Sequence, residues 1–582
     1  MPATSESNAT REFRAFLDRD WKQWLEEAPE VATAVGFPGL NDRWNDDSEA
    51  GIAGRRHHLA VSLQKLDRFD RGSLAESERL THDLYRDLLV TAEQGVQFGN
   101  DAFPFRLGSP HSTRTPLNQL EGVHLSAADI GDIQPLDTVR DYEDLLSRLE
   151  TFPTAVDQNM ELLEAGRAQG FTPPKITLVG VPKEIGDQMP SDPASSPVLK
   201  PFQNFPVGIG TADRERLADR AARAYLERIV PALRKLQQYL EVTYLPQCRE
   251  AIAASALPNG SAHYAFLVKW QTTTDLTPQQ IHEIGLGEVR RLRAEMDELI
   301  RNIGFTGTFA EFNHFVRTDP RFFYRSADEL LDGYRVIAKK IDPALGRVFG
   351  RLPRSPYGVL PVPDYRAPTA PGAYYIPGAP ATGRPGYFYA NTYKVGVRPR
   401  WEMEALTAHE AVPGHHLQLS LAQEPDDLPS FRRETGYTAF VEGWGLYAES
   451  LGEELGLYRD PYSKFGQLTF DMWRSIRLVV DTGMHALGWT RDQALQFFRD
   501  NAGMSDQAIR VEVDRYIVWP AQALAYKIGQ LKIRELRTLA EQRLGDRFDV
   551  RAFHDTVLAR GSLPLGELTI RVGQWIESRA EQ

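Results

Sequence analysis

A single cysteine, Cys248, stands among 582 residues, so the chain cannot close an intrachain disulfide. That excludes the disulfide-stapled secreted scaffolds. The start, MPATSESNATREFRAFLDRDW, lacks a basic segment followed by an apolar core and does not read as a secretory signal. No cysteine lies near it to carry a lipid, and no apolar run is long enough to span a bilayer. Basic charge is in short supply as well: the formal net charge is −12, and the isoelectric point is near 5.7. A surface of that sign argues against nucleic acid as a partner and against an anionic membrane. The expectation left by these absences is a cytoplasmic enzyme.

What is present is ample core material. Hydrophobic residues make up 42% of the chain and charged ones 25%. That suffices for one large domain, or for two lobes around a cleft. Most segments read as helix. Residues 212–227 combine strong helix formers with apolar residues at helical spacing. Thr277-Pro278 predicts an N-cap with proline at the first helical position. Ser326 to Glu329 has the spacing of a capping box. Residues 352–397 are different: rich in Pro, Gly and Tyr, they predict short strands and loops, with candidates starting at Tyr357, Gly372 and Gly386. A Pro-rich stretch from Phe171 to Pro206 reads as a linker.

The stretch His409-Glu410-Ala411-Val412-Pro413-Gly414-His415-His416 comes close to HExxH, in which two histidines one helical turn apart share a zinc ion and the Glu serves as base. Here Pro413 occupies the position of the second histidine. In an unbroken helix a residue six on lies about 240° around, and one seven on lies about 10.5 Å along the axis. Neither His415 nor His416 could then share an ion with His409. The helix must therefore deform, and Pro413 and Gly414 supply the means. A bulge of two residues would return His415 to the second ligand's place. By contrast, His282-Glu283 has Leu286 where a ligand should stand, and reads as surface or packing. The third ligand is expected from Phe440-Val441-Glu442-Gly443-Trp444. Glu442 lies in an apolar run there and would need a partner if buried. Glu449, two turns on, is the rival ligand or a carboxylate supporting one.

The segments HEAVPGHHLQL, FVEGWGLYAE, VVDTGMHALGW and WPAQALAYKIG, with the N-terminal PEVATAVGFPGLNDRWNDDS, resemble the bacterial domain-of-unknown-function family 885 over nearly the whole chain. That family in turn resembles the helical gluzincin peptidases, such as angiotensin-converting enzyme, thimet oligopeptidase and dipeptidyl peptidase three. The resemblance implies a mainly α, two-lobed fold with a central cleft and a small antiparallel sheet near 355–395. It also implies Zn2+ on His409, His415 and Glu442, with Glu410 as general base; the two-residue insertion keeps His416 open as the second ligand. In the resembled peptidases, a strand just before the metal helix pairs its free edge with the substrate backbone. That makes the strand around residues 386–393, with Asn391, a candidate peptide contact. A Tyr or His from a C-terminal helix supports the oxyanion there, which makes Tyr526, ahead of Tyr516, the second catalytic candidate. Gln522 could face the same cleft, while Lys527 reads as a surface residue. Arg477, Asp481 and His485 recur every four residues on one helix face. They suggest an Arg–Asp pair with His485 reaching the cleft, so His485 joins Asn391 and His416 as candidate substrate contacts.

The expected protein is thus a single large helical catalytic domain, with an N-terminal lobe over 1–260 and a metal-site lobe over 261–582, acting on short peptides. Hydrolysis of a non-peptide amide or ester would use the same site. Two histidines and a carboxylate are also an iron-oxygenase ligand set, and a non-catalytic binding protein could keep the metal for structure. Glu410 beside the first ligand has a task only in hydrolysis.

Overall fold

A computed structural model describes residues 8–105, 111–363, 367–368, 370–380 and 383–581. Helices dominate, with one small sheet. The chain forms two compact units. One is built from residues up to Ile252 together with Ala256–Gly260, the other from Ala253–Ser255 and from Ser261 onward. No described helix is long and apolar enough to cross a membrane.

The first unit is helical, and residues 171–206 belong to it as short helices and turns rather than as a bare linker. Its helix Thr211–Ala224 runs on into a π-helical turn, Tyr225–Ile229. The fully buried Arg148 fixes a loop to a helix there. Its guanidinium donates to Thr33 Oγ1 at 2.7 Å, Gln134 Oε1 at 2.9 Å and the Arg43 carbonyl at 3.0 Å.

The second unit carries the motifs. Helix α1 (Pro278–Ile303) starts with Thr277 as N-cap, in a reciprocal capping box with Gln280. Helix α2 (Ala327–Ile341) is capped by Ser326, but Glu329 accepts from the Arg325 N–H rather than closing the box on Ser326. Next come strands β1 (Tyr357–Pro361), β2 (Ala373–Ile376) and β3 (Gly386–Ala390). Helices α3 (Met403–Glu410), α4 (His415–Gln423), α5 (Thr438–Ser450), α6 (Pro461–Ala486), α7 (Asp506–Val518) and α8 (Ala525–Leu544) complete the part that matters for the site.

The sheet is mixed, not antiparallel: β3 pairs in parallel with β1 and antiparallel with β2. The strand order β1-β3-β2 makes β3 the middle strand. Both its edges are taken, so it cannot pair with a substrate backbone as expected. The long connections among the strands permit the parallel pairing, because nothing forces a hairpin.

Helix α6 is buried along almost its whole length and is the axis of the unit. Helix α1 packs on it where Gly285 meets Leu478 and Val479. His282 is buried at this contact, with Nδ1 2.9 Å from Thr482 Oγ1. Helices α5 and α8 approach still more closely through Gly443 and Gly529. A Cβ on Gly443 would come within 2.5 Å of the Gly529 backbone, and one on Gly529 would collide with the Ala439 carbonyl. This contact sets α5, which carries Glu442, against α8, which carries Tyr526.

Gly529→Ala should therefore cost about 1–3 kcal/mol by overpacking, seen as a lower midpoint in chemical denaturation. An unchanged midpoint would show that the two backbones can part freely.

Candidate metal centre

Helix α3 ends at Glu410 and α4 begins at His415. The expected bulge inside one helix is instead a full break. Ala411 (φ −101°, ψ −107°) leaves helical geometry, and so does Gly414 (φ −78°, ψ −129°). The Val412–Pro413 peptide is cis. Pro413 has no N–H to continue the ladder, and its carbonyl accepts from the Trp444 indole at 2.8 Å. Gly414 is pressed against the end of α3, where a Cβ would strike the Ala408 and His409 carbonyls. His416 N–H then bonds the Ala411 carbonyl at 3.0 Å, across the break.

The break turns His415 toward His409. Their rings lie 4.7 Å apart and nearly perpendicular. Glu442 of α5 faces both: its Oε2 is 3.6 Å from His409 Nε2 and 3.4 Å from His415 Nε2. One donor atom from each residue lies within 4.8 Å of the others. Two ligands about 2.0–2.1 Å from a tetrahedral zinc stand about 3.4 Å apart. The spacing thus fits a shared ion. Glu442 Oε2 is buried without a hydrogen-bond partner among the described residues, as a ligand atom would be. Burial works against charge on these groups, but their mutual attraction prevails. It holds the Glu442 carboxyl well below its usual range and raises His409 to about 9 against burial, with help from Glu449. A divalent cation would replace that shared proton charge. Zinc suits the donor set of two imidazoles and one carboxylate.

Glu449 supports a ligand rather than serving as one. Its Oε1 accepts from His409 Nδ1 at 2.8 Å. That fixes the tautomer and leaves Nε2 free to coordinate. Arg474 approaches the same oxygen at 3.5 Å. Gly445 makes room for the His409 ring, which an added Cβ would meet at 2.7 Å. Glu410 follows directly after His409 and is partly exposed. Tyr526 stacks beside His409 at 6.3 Å between ring centroids, and its hydroxyl accepts from Arg515 at 3.1 Å.

Other candidates lie elsewhere. His416 points into the sheet: its Nδ1 is 2.9 Å from Tyr375 Oη and its ring packs on Tyr357 at 4.5 Å. Burial lowers it to about 4. It is a packing residue, neither ligand nor substrate contact. Asn391 is buried, with Nδ2 donating to the Ala367, Ala370 and Pro371 carbonyls and Oδ1 accepting from Tyr393 N–H. Its amide holds a loop and is spent. His485 is fully buried, with Nδ1 accepting from Ala254 N–H and Nε2 donating to the Tyr516 carbonyl, each at 2.9 Å. Arg477 pairs with Glu512 at 3.1 Å rather than with Asp481. Asp481 accepts from Tyr264 Oη at 2.5 Å and from Ala521 N–H at 3.1 Å. Tyr516 is locked between Arg477, Trp473 and Glu512. Lys527 is not a surface residue: it is fully buried, with Asp471 at 2.6 Å and Glu288 at 2.9 Å. Arg474 and Arg515 escaped the sequence reading. Their signal was faint: each immediately precedes or follows an aromatic residue of a motif helix, Trp473 and Tyr516.

The chain belongs to a family described as bacterial protein of unknown function (DUF885), whose model matches residues 29–572. The solved structures similar to it include two that are each described as a putative lipoprotein. The one from Colwellia psychrerythraea has 27% identity and a TM-score of 0.92, covering 98% of this chain and 99% of that one. The one from Shewanella oneidensis, described as of unknown function, has 18% identity and a TM-score of 0.68, covering 95% and 98%. The latter likeness is one of fold. No curated protein matches the chain.

Zinc content, measured by plasma mass spectrometry after loading and desalting, should separate the histidines. His416→Ala should keep the ion and His415→Ala should lose it. Glu449→Gln should weaken zinc binding about 10–100-fold. Zinc retained in His415→Ala would overturn the assignment.

Proposed function

We propose that this DUF885 member is a zinc-dependent metallopeptidase that hydrolyses peptide bonds of short peptides. The observation that carries the reading is the convergence of His409, His415 and Glu442 beside Glu410, a carboxylate with no ligand duty. Three protein ligands leave a coordination position open, as in catalytic rather than structural zinc sites. When bound, zinc supplies Lewis acidity, polarising a carbonyl and acidifying water.

The chain's own groups do the rest. Glu410 takes the proton of the attacking water on its carboxylate and passes it to the leaving amine nitrogen. Glu449 keeps His409 in the tautomer with Nδ1 protonated. Tyr526, whose ring stacks beside that of His409, donates from its hydroxyl to the developing oxyanion. Arg515 donates to the Tyr526 oxygen, which leaves the hydroxyl proton free for that bond. We place the enzyme in the cytoplasm on its single, buried cysteine, although two of the similar solved structures carry a lipoprotein description.

Glu410→Gln should retain zinc yet lose peptide cleavage by about 10²–10⁴-fold, the usual share of a general base. A mixed peptide library read by mass spectrometry measures this, with a chelator silencing the wild type and zinc restoring it. A Glu410→Gln protein that cleaves as well as wild type contradicts the reading.

A further inference from the structure

Three buried or nearly buried arginines gather around Tyr526. The guanidinium carbons of Arg477 and Arg474, from α6, lie 4.4 Å and 6.0 Å from its ring centroid. Arg515, from α7, donates to its hydroxyl at 3.1 Å. Two carboxylates answer them. Glu512 stands 3.1 Å from Arg477 and 3.8 Å from Arg515. Glu449 stands 3.5 Å from Arg474 and is shared with His409. Positive charge therefore exceeds negative by one in this pocket of the unit. The metal site does not supply the difference, since a divalent ion is balanced by Glu442 and Glu410.

Unused donors accompany the unbalanced charge. Arg474 Nε, Arg477 Nη1 and Arg515 Nε are buried and have no hydrogen-bond partner among the described residues. Each such donor is costly to leave unmet, and an unpaired buried cation more so. Of the three side chains, Arg474 and Arg477 are 5% and 2% exposed, whereas Arg515 is 18% exposed. Arg515 is held by Gln522 Oε1 at 2.9 Å and lies over the Trp519 ring. It is the one that a ligand can reach. Its Nη2 is already given to Gln522 Oε1 and Tyr526 Oη and its Nε is buried, so Nη1 is the donor left for a ligand carboxylate, by a charge-assisted hydrogen bond.

We propose that Arg515, backed by the field of Arg474 and Arg477, forms a carboxylate subsite beside Tyr526, so that the substrate is a peptide carrying a carboxylate close to the scissile bond. The carboxylate is either the peptide's C-terminus or an Asp or Glu side chain. This rests on the peptidase reading. Arg515 touches the substrate, and the other two arginines act through it. Tyr526 accepts from Arg515, and its ring centroid lies 6.3 Å from that of His409. An extended chain advances about 3.4 Å per residue, so the carboxylate falls within a few residues of the bond cleaved.

The test uses the full-length, zinc-loaded Glu410→Gln protein, which binds without turnover. Three N-acetylated tetrapeptide mixtures of Ala, Leu and Phe are offered: free acids, C-terminal amides, and amides with one residue replaced by Glu. Retention on the protein is read by affinity-selection mass spectrometry. A carboxylate-bearing mixture should bind on the order of 10–100-fold more tightly than the plain amides. Free acids leading assigns the terminal carboxylate; the Glu-bearing amides leading assigns the side chain. In Arg515→Gln with unchanged zinc content the preference should vanish, and Arg515→Lys should restore part of it. The peptide comparison on the Arg515 protein stands even if Arg515→Gln fails to fold. Equal, measurable binding of all three mixtures overturns the subsite and leaves the peptidase reading intact. Binding of none of them overturns the peptidase reading and the subsite with it.

Discussion

Two histidines six residues apart can meet one carboxylate only if the helix between them stops. The stop at Ala411–Gly414 is the constraint on which the centre depends. It ends α3 with His409 and Glu410 on its last turn and starts α4 with His415 facing back. It also sets His416 on the opposite side, where it joins β1 and β2 in packing. The stop is held from α5, by the Trp444 indole on the Pro413 carbonyl. The same helix supplies Glu442 and Glu449, so one element secures the break and brings the carboxylates that use it. The glycine contact between α5 and α8 then carries the arrangement on to Tyr526.

Buried charge is the second organising fact. Helix α6 presents Asp471, Arg474, Arg477, Asp481 and His485 to the interior, all nearly inaccessible. Such charges are tolerable only when paired and hydrogen-bonded. Lys527 shows the pattern carried through, with carboxylates of α1 and α6 and an amide closing on one ammonium. Burial would raise Glu288, but Arg291 and Lys527 hold it down at about 2. The arginines near Tyr526 are where the pairing stops short, beside the metal ligands. Asp481 of helix α6 is met by dipoles rather than a cation, by Tyr264 Oη and the Ala521 N–H, and burial raises it to about 7.

Much of this was legible in the chain itself. Helical periodicity, the Thr277 cap and the Tyr-rich strand region all describe local chemistry, and local chemistry decides them. The ligand-type residues His409, His415 and Glu442 could be named because a buried charge and a broken helix each demand an explanation. What stayed hidden depends on partners distant in sequence. Spacing put Arg477, Asp481 and His485 on one face, but could not tell that Glu512, Tyr264 and Ala254 would meet them. Lys527 read as exposed because lysine usually is, and only the fold brings Asp471 and Glu288 to it. Asn391 read as a substrate contact because it lies on the strand that the resembled peptidases pair with substrate, whereas three loop carbonyls claim its hydrogens. Strand order is likewise a long-range property, and β3 turned out central.

The central claim is that His409, His415 and Glu442 hold one ion with a position left open for chemistry. A crystal structure of the zinc-loaded protein, with anomalous diffraction recorded on both sides of the zinc edge, tests it most directly. The account predicts one anomalous peak, bound by His409 Nε2, His415 Nε2 and Glu442, with Glu449 still on His409 Nδ1 and no fourth protein ligand. An ion on His416, an ion closed off by four protein ligands, or no peak between α3 and α5 would contradict it.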